Sequence, residues 1–75
     1  MTWQASITWQ DGDIWYSDEC LNLEAVGAWL FGTASCFQDI RAIGLAYGGK
    51  WETLWPMQGV SLEDFVDALR PAPGR

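Results

Sequence analysis

Trp3-Gln4-Ala5-Ser6-Ile7-Thr8-Trp9-Gln10-Asp11-Gly12-Asp13-Ile14-Trp15-Tyr16 is the stretch whose reading decides the fold. Trp3, Ala5, Ile7 and Trp9 alternate with Thr2, Gln4, Ser6 and Thr8. A period of two places the first set on one face of a strand and the second on the other. Asp11-Gly12 is a strong hairpin signal, because glycine takes the positive φ that tight turns require. With these two residues at the centre of the turn, Trp9 opposes Ile14, Thr8 opposes Trp15 and Ile7 opposes Tyr16. Opposed residues share a face. This register sends Ile14 and Tyr16 to the core and leaves Trp15 among Ser6, Thr8 and Gln10 on the polar side.

Downstream, Asn22 reads as a helix N-cap, with Leu21 and Val26 at the hydrophobic staple positions. Leu23, Val26, Gly27 and Leu30 form an apolar stripe, and Gly32 is the expected stop. Residues 39–47, Gly48-Gly49 and Lys50–Trp55 read as a second hairpin. The alternative is a helix capped by Ser35 and Gln38, with Phe37, Ile40, Gly44 and Tyr47 on its face; Gly44 weighs against it by ~1 kcal/mol relative to alanine. In the hairpin, Tyr47 opposes Lys50, Ala46 opposes Trp51, Ile43 opposes Leu54 and Ala42 opposes Trp55. The small residues opposite Trp51 suit an indole lying flat over its neighbours.

A second helix follows. Ser61 and Asp64 have capping-box spacing, Val60 and Phe65 make a staple, and Leu62, Phe65, Val66 and Leu69 form the stripe. Pro71 ends it. Leu21–Leu30 and Val60–Leu69 share the order apolar, cap, Leu, Glu, which is also what any two well-capped amphipathic helices share. The expected fold is a small α+β domain of order ββαββα. A four-stranded antiparallel sheet carries two helices on one face. Residues 1–70 form the single domain and residues 71–75 a loose tail.

Composition limits the function. Ten acidic residues against four basic ones leave a net charge of −6. Direct binding to nucleic acid or to anionic membrane is disfavoured, because phosphate contacts need Lys and Arg. A protein with a basic surface is the electrostatic complement. No signal peptide or membrane span is visible, and the expected location is cytoplasmic. Cys20 and Cys36 have neither Cys-x-x-Cys nor zinc spacing and are expected to be reduced. A Cys20–Cys36 disulfide is the alternative for an exported chain.

Signals for catalysis are weak. The chain has no histidine, which removes the commonest general base and the usual Ser-His and Cys-His pairs. Gly48-Gly49-Lys50 lacks the P-loop spacing, and Asp11-Gly12-Asp13 lacks the EF-hand pattern. Acid pairs such as Asp18-Glu19 and Glu63-Asp64 read as solvated charge and helix-dipole partners. The expectation is a non-enzymatic chain with no cofactor and no metal. Its candidate partner-binding residues are Trp15, Trp51, Glu24, Glu63, Asp64 and Asp67: two exposed aromatics and the carboxylates of the two helices. Glu63 and Asp67 lie four apart on one exposed helix face. A surplus of aromatic side chains for a sheet covered on one side also allows a homodimer.

In this profile of size, acidity and missing chemistry, the whole chain resembles small acidic proteins of phages and mobile elements, notably anti-CRISPR proteins. The resemblance implies an inhibitor that occupies a basic nucleic-acid-binding surface of a host defence complex. It rests on no motif and assigns no residue a role. An antitoxin, an immunity protein, an adaptor subunit or a self-associating structural protein shares the same physics.

Overall fold

The structure, a computed structural model, describes residues 1–35 and 39–70. Six elements follow in order: β1 (Trp3–Trp9), β2 (Ile14–Tyr16), α1 (Leu23–Ala34), β3 (Ile40–Tyr47), β4 (Lys50–Trp55) and α2 (Leu62–Ala68). The strands form one antiparallel sheet of order β2-β1-β3-β4. The expected ββαββα domain is therefore the observed one.

The core lies between the sheet and the two helices. Ala5, Ile7, Trp9, Ile40 and Ile43 meet Val26, Leu30 and Ala34 of α1 and Val66 of α2. The buried stripe of α1 thus runs along Val26, Leu30 and Ala34, while Leu23 at the first turn is exposed. The helix continues through Gly32 to a C-cap at Ser35, whose N–H donates to the Phe31 carbonyl. Gly32 is thus an interior residue rather than the stop, and Ser35 ends a helix rather than starting one. The Leu21 staple is not made either, since Leu21 is 84% exposed. Both N-caps form as expected: Asn22 Oδ1 accepts from Ala25 N at 2.8 Å, and Ser61 Oγ accepts from Asp64 N at 3.1 Å. Among the described residues no helix is long and apolar enough to cross a membrane. The tail at 71–75, the Ser35–Gln38 cap and the Cys36 partner of the possible disulfide involve residues outside the described ones.

The first hairpin departs from expectation by one residue. Thr8 pairs with Ile14, Ile7 with Trp15 and Ser6 with Tyr16. The loop has three residues rather than two. Gly12 N donates to the Trp9 carbonyl at 3.0 Å, and Trp9 N donates to the Asp13 carbonyl at 2.8 Å. Within this loop Gly12 alone takes positive φ, at 98°, and no non-glycine residue in the described chain does. A two-residue type I′ turn would need Asp11 in the left-handed region as well. The turn followed by one left-handed glycine avoids that cost. The shift reverses the faces: Trp15 joins Ile7 on the helix side, while Ile14 and Tyr16 move to the open side.

The second hairpin begins as expected, with Gly48 and Gly49 at φ 59° and 85°, Tyr47 opposite Lys50 and Ala46 opposite Trp51. Two irregularities then change the faces. Leu54 is an extra residue between the pairs Gly44–Thr53 and Ile43–Trp55, so Ile43 opposes Trp55 rather than Leu54. Arg41 is an extra residue between the pairs Thr8–Ala42 and Trp9–Ile40. Each bulge transfers the next apolar residue, Trp55 or Ile40, to the helix side. The Trp55 indole N–H donates to the Val60 carbonyl at 3.2 Å.

Gly12 offers a direct check of the turn. A Cβ there meets no atom within 4 Å, so the main penalty is conformational. Gly12→Val should cost about 1–2 kcal/mol. At ~4–8 °C per kcal/mol for a domain of this size, thermal melting resolves that loss readily. An unchanged melting temperature would contradict the left-handed assignment.

Candidate functional site

The residues singled out from sequence do not form one surface. Trp51, 46% exposed, lies on the open side of the sheet. Its ring meets Tyr16 edge-on at 5.7 Å between centroids. It covers Gly44, where an added Cβ would sit 3.5 Å from Trp51 Cε3. The helices, with Glu24, Glu63, Asp64 and Asp67, lie on the other side. Glu24 is in the first turn of α1, whereas α2 packs beside the C-terminal part of that helix. Asp67 is not a bare charge, since Arg70 Nη2 donates to Asp67 Oδ1 at 2.9 Å and the guanidinium lies 5.1 Å from the Phe31 ring centre. The pair is solvent-exposed and contributes little to stability, yet it offsets charge locally. Glu63 and Asp67 line a cleft between α1 and α2 together with Arg70.

Trp15 gathers a different set of acids. It is 47% exposed on the helix side of the short edge strand β2. Its ring stands against the buried Trp9, with centroids 4.9 Å apart and planes at 70°. Asp11, Asp13 and Asp39 complete the lining of a small cleft, about 150 Å³, against these two indoles. The backbone fixes each acid. Asp13 N donates to Asp11 Oδ1 at 2.9 Å within the turn, and Trp9 N holds the Asp13 carbonyl. Gln10 N donates to the Asp39 carbonyl at 2.8 Å, and Gln10 Nε2 donates to the Ile40 carbonyl at 3.3 Å. The entry to β3 is thereby tied to the end of β1, which brings Asp39 to the hairpin loop.

A half-exposed indole in a cleft lined by three aspartates suits a cation. The ring face attracts a cation through its quadrupole, and the carboxylates accept charge-assisted hydrogen bonds from it. No Lys or Arg lines the cleft among the described residues. The three acids do not form a group that could hold a metal ion, and no group of three or more His, Cys, Asp or Glu does so among the described residues. The Cys20 thiol donates to the Asp18 carbonyl at 3.3 Å.

Sequence reasoning found Trp15 but missed Asp11, Asp13 and Asp39. The first two read only as turn formers, and Asp39 only as the residue before a strand. Their meeting depends on β1 lying between β2 and β3, which no local pattern reveals. Compared with known proteins, the chain matches no family model, no curated protein sequence and no solved structure.

Proposed function

We propose that this small α+β domain is a non-catalytic binding protein that receives an arginine side chain of a partner protein in the Trp9–Trp15 cleft. The observation that carries this reading is the small cleft that the half-exposed Trp15 lines together with Asp11, Asp13 and Asp39. Arginine suits the cleft better than lysine. A planar guanidinium can stack on the indole while its edge donates to two carboxylates, which an ammonium cannot do at once. The net charge of −6 draws basic surfaces toward the domain from beyond contact distance. Surfaces rich in arginine commonly hold nucleic acid. The domain therefore acts as an inhibitor of the anti-CRISPR kind: it occupies a basic nucleic-acid-binding surface of another protein, in a reducing cytoplasm. Glu24, Glu63 and Asp64 serve steering, and the paired Asp67 adds less.

The test uses a hexa-arginine peptide titrated into the full chain, followed by tryptophan fluorescence at two ionic strengths. Trp15→Ala and the double variant Asp11→Asn, Asp13→Asn should each weaken binding ~10-fold, a loss of about 1.4 kcal/mol. The control Glu63→Gln, Asp64→Asn removes the same number of charges away from the cleft and should weaken it far less. If all three variants bind alike, attraction is diffuse and the cleft is not a site. Once a partner is in hand, DNA or RNA should compete with the domain for it; coexistence of the two on that partner would exclude the inhibitory role.

A further inference from the structure

The open side of the sheet has a property that the helix side lacks. Its residues, by strand pairing, are Gln4, Ser6 and Thr8 of β1, Ile14 and Tyr16 of β2, Ala42, Gly44 and Ala46 of β3, and Trp51 and Thr53 of β4. None of these ten is Asp, Glu, Lys or Arg. Lys50 and Glu52 alternate with Trp51 and Thr53, and they oppose Tyr47 and Leu45 on the helix side. A chain with net charge −6 thus places no formal charge at the strand-paired positions of one sheet face. Neither helix covers that face.

The face also has relief. Tyr16 and Trp51 meet edge to face and stand as a ridge, with Ile14 beside them, all three about half exposed. Next to the ridge lies a shallow groove of about 170 Å³ lined by Ser6, Thr8, Ala42, Gly44 and Thr53, with Trp51 and Glu52 at its β4 edge. Ridge and groove adjoin on one surface.

We infer that this face is the interface of a homodimer, in which the Tyr16–Trp51 ridge of one copy enters the small-residue groove of the other. Two considerations select a second copy as the occupant. A twofold interface must be self-complementary, and a ridge beside a groove meets that condition when the second copy is rotated about an axis that lies in the interface plane, parallel to the sheet. Two chains of charge −6 repel across any acidic surface, and contact between the strand-paired residues of this face brings no like charges together. A basic partner gains little at the centre of the face, because none of its strand-paired residues is a carboxylate. The inference is independent of the arginine cleft, which lies on the other side of the sheet and stays open in such a dimer.

The opposite roles of charge give the test. Self-association must overcome long-range repulsion, so salt should strengthen it; screening acts within a Debye length of ~8 Å at physiological ionic strength. Binding of an arginine peptide should weaken under the same change. Sedimentation equilibrium of the wild-type chain across protein concentrations, at low and high salt, should show a monomer–dimer equilibrium that shifts toward dimer as salt rises. Trp51→Lys should raise the dimer dissociation constant at least ~10-fold, as expected for loss of an aromatic anchor at an interface centre. Thr53→Glu should do the same without disturbing the aromatic pair, so a folding defect at Trp51 cannot imitate the result. Circular dichroism checks both folds. Trp15→Ala should leave the equilibrium unchanged. A wild-type chain that stays monomeric at millimolar concentration in high salt overturns the proposal. So does a Thr53→Glu variant that dimerises as the wild type does.

Discussion

Ile43→Ala should remove about 2–5 kcal/mol of folding stability, the range for deleting a fully buried aliphatic group and leaving part of its cavity. Ile43 has no exposed surface and is among the largest fully buried side chains. It opposes Ile7 on one side and Trp55 on the other, so it ties three strands at the middle of the sheet. A chain of 75 residues has an expected total stability of only about 4–11 kcal/mol. The loss is therefore a large share of the whole, and the variant should melt about 8–40 °C lower at ~4–8 °C per kcal/mol. Urea denaturation should show a lower midpoint at an unchanged slope, since the exposed surface of the unfolded chain hardly changes. Ile43→Val should cost only about 0.5–1.5 kcal/mol. Equal stability of the alanine variant and the wild type would mean that β3 presents another residue to the core.

That prediction draws on what the chain pattern revealed and on what it hid. The strict alternation from Trp3 to Trp9 marks β1 and its buried face, because a single strand with one wet side has no other period. The two N-caps and the second apolar stripe mark the helices for similarly local reasons. Register is different, since it depends on the turn. Asp11-Gly12 suits a two-residue loop and a three-residue loop equally, and the choice reverses Ile14, Trp15 and Tyr16. The chain takes the loop that keeps Asp11 out of the left-handed region, a cost visible only when each residue's φ is weighed. The bulges left one readable trace. Ile40 and Ile43 are three apart, so both can be buried on one strand face only if a residue between them is extra. Arg41 is that residue.

The candidate site was half legible. The two-residue register singled out Trp15 by placing it on the polar face; it lies on the opposite face, and it is half exposed because a short edge strand leaves it little cover. The acids around it were hidden by distance in sequence: Asp39 reaches the loop through the pairing of β1 with β3 and the Gln10 hydrogen bonds. The helix carboxylates attracted attention as a periodic pattern, yet the pattern could not show that Asp67 pairs with Arg70 or that Trp51 lies on the far side of the sheet.

Gly44→Val should cost about 1–3 kcal/mol, even though valine is the better strand former. The reason is contact rather than φ. A Cβ at Gly44 would lie 2.7 Å from Ser6 Oγ, 3.5 Å from the Glu52 carbonyl oxygen and 3.5 Å from Trp51 Cε3. Ser6 and Gly44 are directly opposed, and Ser6 is only 9% exposed. Its hydroxyl can turn away from a single methyl group. The additional γ-methyls of valine must also push the Trp51 ring, which packs against Tyr16 and limits the adjustment. The two positions should therefore couple. Ser6→Gly alone should cost about 0.5–1 kcal/mol through unfolded-chain entropy. Combined with Gly44→Ser, which returns the hydroxymethyl group from the other strand, it should be less damaging than the two single changes added together. A double-mutant cycle by urea denaturation, at protein concentrations below any self-association, measures that difference directly. Strict additivity would show that Ser6 and Gly44 do not share one space beneath the Tyr16–Trp51 ridge.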